Sequence, residues 1–447
     1  MKPDIEPAWW QHATAEQPTL TSNTGVLSAL TEGRLAFYAL YGFTIILLLA
    51  PQAYYPALAP FRIALLAAAL AMIAHVSSQL SIGKPIIRSN PGITLVLALL
   101  FWALLTIPFS VWPGGSVNLI LSHYSKTIIV FLLLANVINT LPKLRAICVG
   151  LALMSGFLAF TTTKNYLTGT YIGQGERVLG TQGALTGNPN DMALMLNLLL
   201  PICAGLMLAA QTGWRRVFFG ALIASLAAAI VLTFSRAGFL ALGVTFVAYM
   251  VMLRNKPQKK LIPLALLLTL LAIPLIPDTY IDRLSTITDI EEDESGSAQL
   301  RMNDMKLATS LFLRSPVIGS GIGVSAVAMD EARGSYGTEI HNVYLQYAVE
   351  LGLPGLILFL LLYRACFRNT SLVMSLHAPT IGRDNSLFFI AQGIRVSMIT
   401  FAVEAFFHPV AYHFYFYYIA GLAIALITVH EHEAALHSHS PADAVAK

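Results

Sequence analysis

The chain has 447 residues, of which 56% are hydrophobic and only 11% charged, with a formal net charge of +4 and a mean hydropathy of +0.68. So low a charged fraction excludes an ordinary soluble globule, which carries about 25%, and so small and dispersed a charge excludes a nucleic-acid binder. The scattered Cys148, Cys203 and Cys366 exclude a disulfide framework and a cysteine metal site.

Residues 1–33 are polar, include Glu6, Glu16 and Glu32, and lack the basic head, short apolar core and small-residue site of a signal peptide. They are predicted to be a cytoplasmic tail retained on the mature protein. Apolar runs follow near 34–50, 57–80, 92–111, 126–141, 146–163, 190–210, 215–234, 237–253 and 261–277, then 341–363, 386–407 and 410–429. Each is long enough to cross about 30 Å of hydrocarbon. The predicted fold class is an all-α polytopic membrane protein of about twelve transmembrane helices, nine in 34–277 and three in 341–429, separated by a long loop at 278–340.

The connections sort by charge. "GKPIIR", "PKLR", "GWRR", "RNKPQKK" and 364–385, with Arg364, Arg368 and Arg383, fall on one side; the opposite short loops hold little beyond Lys126, Lys164, Arg177 and Arg236. The positive-inside rule makes the first side cytoplasmic, together with both termini. The 278–340 loop then faces outward. It opens acidic ("DIEEDE") and continues as "AQLRMNDMKLATSLFLR", whose Leu300, Met305, Leu307, Ala308, Leu311 and Phe312 recur at mostly helical spacing. A helix lying on the membrane surface is predicted there. "SPVIGSGIGV" supplies Gly-rich turns and lacks the Lys-Ser/Thr of a phosphate loop.

The 430–447 tail, with His430, His432, His437 and His439, is predicted to be cytoplasmic and solvated. His75, inside the second span, is assigned to hydrogen-bonded packing.

The unusual polar residues collect on the outward side: Arg177; Asn188, Asn190 and Asp191 of "GNPND"; Ser235 and Arg236 of "SRAGFL"; Arg301; His341 and Asn342; and His408. The sixth, eighth and tenth spans begin there, near Asn188, Ser235 and His341. Helix N-termini carry unsatisfied N–H groups and partial positive charge. With Arg236, Arg177 and Arg301 they would suit a phosphate, which guanidinium binds in bidentate fashion. The competing reading makes Asn188, Asn190 and Ser235 helix caps and sets the arginines against lipid headgroups. His408, with Glu404 one turn before it, is read first as an interfacial anchor.

On a straight helix at about 100° per residue, Glu350 faces away from His341, whereas Gly352 and Gly355 lie beneath the histidine. That bare stripe allows close helix packing or a groove for a lipid chain. Glu350 would sit about 13 Å below His341, at a depth comparable to Arg395, so a buried Glu350–Arg395 pair locking two helices is predicted.

Two motifs carry a family resemblance. R-x-x-x-L runs from Arg236 to Leu240, and H-[NSQ]-x9-G-x-x-G is met by His341, Asn342, Gly352 and Gly355. With "GNPNDMALML" and "SRAGFLAL", the chain resembles the O-antigen ligase family over roughly residues 160–365.

The resemblance implies a GT-C-type glycosyltransferase of the bacterial inner membrane, acting at the periplasmic face without metal or cofactor and with inversion. Its donor would be a polysaccharide on undecaprenyl diphosphate and its acceptor the lipid A core of lipopolysaccharide. Neutral imidazole, with a reference pKa of about 6.5, suits a general base, so His341 takes that role. Arg236, Arg301 and Arg177 would stabilise the leaving diphosphate, with Arg283 an alternative to Arg301. A polysaccharide polymerase and a protein O-oligosaccharyltransferase share the donor chemistry and stay open. A secondary transporter would place its ionisable groups around a midplane cavity, whereas here they gather at one surface.

Overall fold

The computed structural model describes residues 21–172, 177, 178, 180, 185–272, 297–334, 339–379 and 384–438. Glu6, Glu16, Arg283, the "DIEEDE" run, Arg383 and His439 lie outside the described residues, as do the side chains of Glu32 and His437.

The chain is helical almost throughout. The helices are α1 (Thr21–Leu49), α2 (Ile63–Ser81), α3 (Pro91–Thr106), α4 (Ser125–Val137), α5 (Leu141–Leu167), α6 (Pro189–Ala209), α7 (Gly213–Leu232), α8 (Arg236–Leu253), α9 (Leu261–Ala272), α10 (Ser297–Arg314), α11 (Ser325–Arg333), α12 (Val343–Leu376), α13 (Ser386–Glu404) and α14 (Phe414–Ser438). Each predicted span overlaps a helix, the ninth over its described part, Leu261–Ala272. Among the described residues ten helical segments are long and apolar enough to cross a membrane, and Gly33–Leu49 is a shorter apolar one. The span foreseen at 126–141 is preceded by helix from Pro113, joined through a π-helical stretch at Ile120–Tyr124. Helix α1 starts at Thr21, inside the segment expected to be tail.

Helices α6 and α13 form the centre. The most apolar stretch of α6 is 89% buried inside the protein, as its apolar residues on every side require. The two helices approach closely because both are bare at the crossing. A Cβ on Gly205 would lie 2.4 Å from the Phe389 carbonyl oxygen, and one on Gly393 would lie 2.7 Å from that of Pro201. Close contact of backbones is how helices associate where lipid supplies no hydrophobic drive.

Helix α12 is broken, and the break overturns the straight-helix geometry. Gly352 has φ 65° and ψ −171°, and Pro354 has no N–H to return to the Glu350 carbonyl. The freed groups are taken up from outside the helix. Ser320 N–H and Gly321 N–H donate to the Val349 and Glu350 carbonyls at 2.8 and 2.9 Å, and Leu353 N–H donates to Pro316 O at 2.7 Å. Trp102 Nε1–H serves the Leu351 carbonyl at 2.8 Å. Non-helical backbone at membrane depth survives only when other protein satisfies it, and here the "SPVIGSGIGV" segment does so. A side chain at Gly352 would meet Val317 O at 2.1 Å, so that glycine admits the loop. His341 lies before the helix and Gly352 at its break, so the straight-helix count that set Gly352 and Gly355 beneath His341 does not apply.

The predicted Glu350–Arg395 pair does not form. Glu350 is fully buried and accepts hydrogen bonds from Gly323 N–H at 2.7 Å, Ser325 N–H at 3.3 Å, the Ser325 hydroxyl and Gln346 Nε2 at 3.3 Å. The Arg395 guanidinium instead sits 4.5 Å above the Phe367 ring. The pairing was inferred from equal depth in two straight helices; the loop that enters the break reaches the carboxylate first.

Helix α10 differs from its expected setting as a membrane-surface helix. Ala308, Leu307, Leu311 and Phe312 pack on Met329 of α11, Ile340, and Leu345 and Val349 of α12, while Leu300 stays exposed. Its apolar face is thus occupied by protein. A separate apolar groove of about 730 Å³ runs along α8 from Phe239 to Met252, with Ile399 and Arg395 of α13 on its other wall.

Candidate functional site

The outward polar residues predicted from sequence come together where the N-termini of α6, α8 and α12 meet the end of α13. Each start is capped by a side chain. Asn188 Oδ1 accepts from Asp191 N–H at 2.9 Å, Ser235 Oγ from Gly238 N–H at 3.3 Å, and Asn342 Oδ1 from Leu345 N–H at 2.9 Å. The capping reading therefore describes Asn188 and Ser235 but not Asn190, and Asn342 is a cap that it did not include.

Asn190 does something else. Its Oδ1 accepts from Arg177 Nη2 at 2.6 Å and from Ser235 Oγ at 3.0 Å, joining α6 to α8 and orienting one arginine. Arg177 stands on a short antiparallel hairpin, β1 (Tyr171–Ile172) and β2 (Arg177–Val178). The neighbouring Val178 packs on Phe234, whose φ of 55° is unusual for a side-chain-bearing residue. Strain of that kind costs about 1–3 kcal/mol and gathers at functional sites. Here it forms the turn that places Arg236 at the first position of α8.

His341 precedes α12 rather than belonging to it, because Asn342 is the cap. Val343 N–H donates to Ala405 O at 2.7 Å, which ties this end to the end of α13. His341 Nδ1 lies 3.1 Å from the Glu339 carbonyl oxygen. A carbonyl only accepts, so Nδ1 carries the proton and Nε2 keeps its lone pair. Burial, assisted by the charge of Arg301 on α10, holds the imidazole below its ordinary pKa. The ring is therefore neutral and basic near pH 7.

Behind this surface lies a buried charge chain. His408 Nε2 is 2.8 Å from Glu404 Oε2, and its Nδ1 is 3.7 Å from Asp191 Oδ1. Burial opposes protonation of His408, yet the two carboxylates outweigh it and lift the imidazole to about 9. Asn197 Nδ2 holds Glu404 Oε1 and the Gly238 carbonyl, each at 2.9 Å. The interfacial-anchor reading of His408 gives way to that of a 1%-exposed cation; the i, i+4 spacing from Glu404 was the signal. Sequence reasoning missed His413, whose imidazole burial holds below its ordinary pKa, near the charges of Asp191 and Glu339 and beside His123. It also missed Glu339 itself. Among the described residues no three His, Cys, Asp or Glu side chains are placed to hold a metal ion.

No curated protein matches this chain. A chain in a solved structure described as "Structural coordination of polymerization and crosslinking by a peptidoglycan synthase complex" is 18% identical, over 75% of this chain and 97% of that one, with a TM-score of 0.40. A likeness that loose carries no argument. Residues 219–360, which include Arg236, Arg301, His341 and Glu350, match the family model described as "O-Antigen ligase". The resemblance read from the arginine and histidine motifs holds over that segment, so this part of the chain is similar to the O-antigen ligase family.

Proposed function

We propose that this chain is an O-antigen ligase, transferring polysaccharide from undecaprenyl diphosphate to the lipid A core at the periplasmic face of the bacterial inner membrane. The observation that carries the proposal is His341, with Nδ1 tied to Glu339 O at 3.1 Å and Nε2 left as the basic nitrogen beside the charge of Arg301. An acceptor hydroxyl gives its proton to Nε2 while its oxygen bonds to the anomeric carbon. The bond from that carbon to the diphosphate oxygen breaks on the opposite face, which inverts the centre. The electron pair leaves on the diphosphate. Diphosphate needs charge stabilisation more than protonation, and Arg236, Arg301 and Arg177 supply it with the N–H ends of α6 and α8. No step calls on a metal or cofactor. Asn190 and Asp191 position the arginine and histidine side chains around them, and the groove along α8 receives the lipid tail of the donor.

The test is reconstitution with lipid-linked glycan and purified lipid A core. Joined product supports the ligase. Product with a second lipid-linked glycan and none with lipid A core would make it a polymerase, and transfer to a Ser or Thr peptide a protein glycosyltransferase. Glycan transport without any transfer would return the chain to the transporter class.

A further inference from the structure

Glu350 gathers donors from the loop and from its own helix. Gly323 N–H reaches Oε2 at 2.7 Å; Ser325 N–H, the Ser325 hydroxyl and Gln346 Nε2 reach Oε1. The orientation of the Gln346 amide is settled by its other end, since its Oε1 accepts from Ala411 N–H at 3.3 Å. The Tyr412 hydroxyl lies beside the same carboxylate, outside good hydrogen-bond geometry. The Gly323 and Ser325 N–H groups can only donate, so each requires an acceptor oxygen at residue 350.

The groups it holds lead to the site in a few steps. Ser325 is the first residue of α11, and Arg333 at the end of α11 pairs with Asp304 of α10. Asp304 is three residues after Arg301, and side chains at that spacing neighbour each other on a helix. Helix α10 in turn packs on Leu345 and Val349 of α12. The long loop is thus fastened to α12 by one carboxylate, one loop in the helix break and one apolar face.

We propose that Glu350 is a positioning residue: by clamping Gly323 and Ser325 into the break of α12, its carboxylate fixes Arg301 of α10 against His341. The proposal rests on the ligase reading only for the roles of Arg301 and His341. Three groups act on the His341 ring: Arg301 from α10, Glu339 just before it, and His408 from the α13–α14 connection. Freeing α10 withdraws the first and leaves the other two in place.

The experiment is the pH titration of His341, read by mass spectrometry from hydrogen exchange at the imidazole C2 position in the full-length protein in nanodiscs. Glu350→Gln turns an amide N–H toward a donor in either orientation, and is expected to raise the His341 midpoint by roughly 0.5–1 pH unit. Ser325→Ala, which keeps the carboxylate and removes one donor, gives a smaller rise and decides the matter if Glu350→Gln does not fold. Arg301→Ala gives the full rise, and adding Glu350→Gln to it gives no more. An unchanged midpoint in Glu350→Gln and Ser325→Ala overturns the proposal, as does a further rise in the double variant. The measurement uses neither donor nor acceptor glycan, so a wild-type protein inert in transfer would sink the ligase reading while the midpoint still judged the clamp.

Discussion

Glu404 and His408, one helical turn apart where α13 ends, face each other at 2.8 Å with both side chains closed to solvent. The pair is held from the other side by Asp191, so a buried cation bridges two acids. His408 is lifted from an ordinary 6.5 to about 9. A raised pKa contributes stability that is full below about 6.5 and is lost as pH rises through about 9. At about 1.4 kcal/mol per pH unit the contribution is on the order of 3 kcal/mol. Wild-type unfolding followed from pH 6 to 9.5 should show that decline. His408→Ala should be destabilised by about 3–5 kcal/mol at pH 6 and lose most of the slope; an equal slope in the variant would remove His408 as its source.

His341→Ala should lower transfer by about 10²–10⁴-fold, the usual worth of a general base, with expression and thermal midpoint unchanged. In the wild type, turnover should fall on acidification, with a midpoint below 6.5, because burial and Arg301 both disfavour the imidazolium. Rate measurements between pH 4.5 and 8 test this. A variant retaining full activity would exclude His341 as the base.

Gly352→Ala should destabilise the protein by more than about 1–3 kcal/mol. Its backbone sits at φ 65°, and the added carbon would lie 2.1 Å from Val317 O. Gly42→Ala, with nothing within 4 Å of the new carbon, serves as the control and should be neutral or slightly stabilising. Comparable thermal shifts in both variants would mean the break is not held as described.

Arg395 and Glu350 should be energetically independent. The double-mutant cycle of Arg395→Met and Glu350→Gln is expected to give a coupling within about 0.5 kcal/mol, the range for residues with no shared partner. A coupling of several kcal/mol would restore the ion pair foreseen from sequence.

The helical spans were legible because hydrophobic length reports directly on membrane crossing, and the gathering of the polar residues followed from which helices start at the same end. Caps at Asn188 and Ser235 were readable from residue type alone, whereas the same reading wrongly added Asn190 and left out Asn342. What failed was geometry that depended on straightness. The pair Gly352 and Pro354 within "ELGLPG" announces an interruption, yet an apolar run of that length reads first as an unbroken span, so Glu350 was paired by depth with Arg395. The hairpin bearing Arg177 is too short for strand periodicity to show. Asn190 as a hub and His413 as a site neighbour depend on tertiary contacts that no local pattern encodes.

The loop that completes α12 precedes it in the chain. Membrane helices emerge from synthesis in sequence order, so Ser320, Gly321 and Glu350's donor Gly323 are made before the carbonyls and carboxylate they serve. The interruption at Gly352 is therefore never required to wait for a later segment. Chain order thus lets the segment that satisfies the break be present when the break is made.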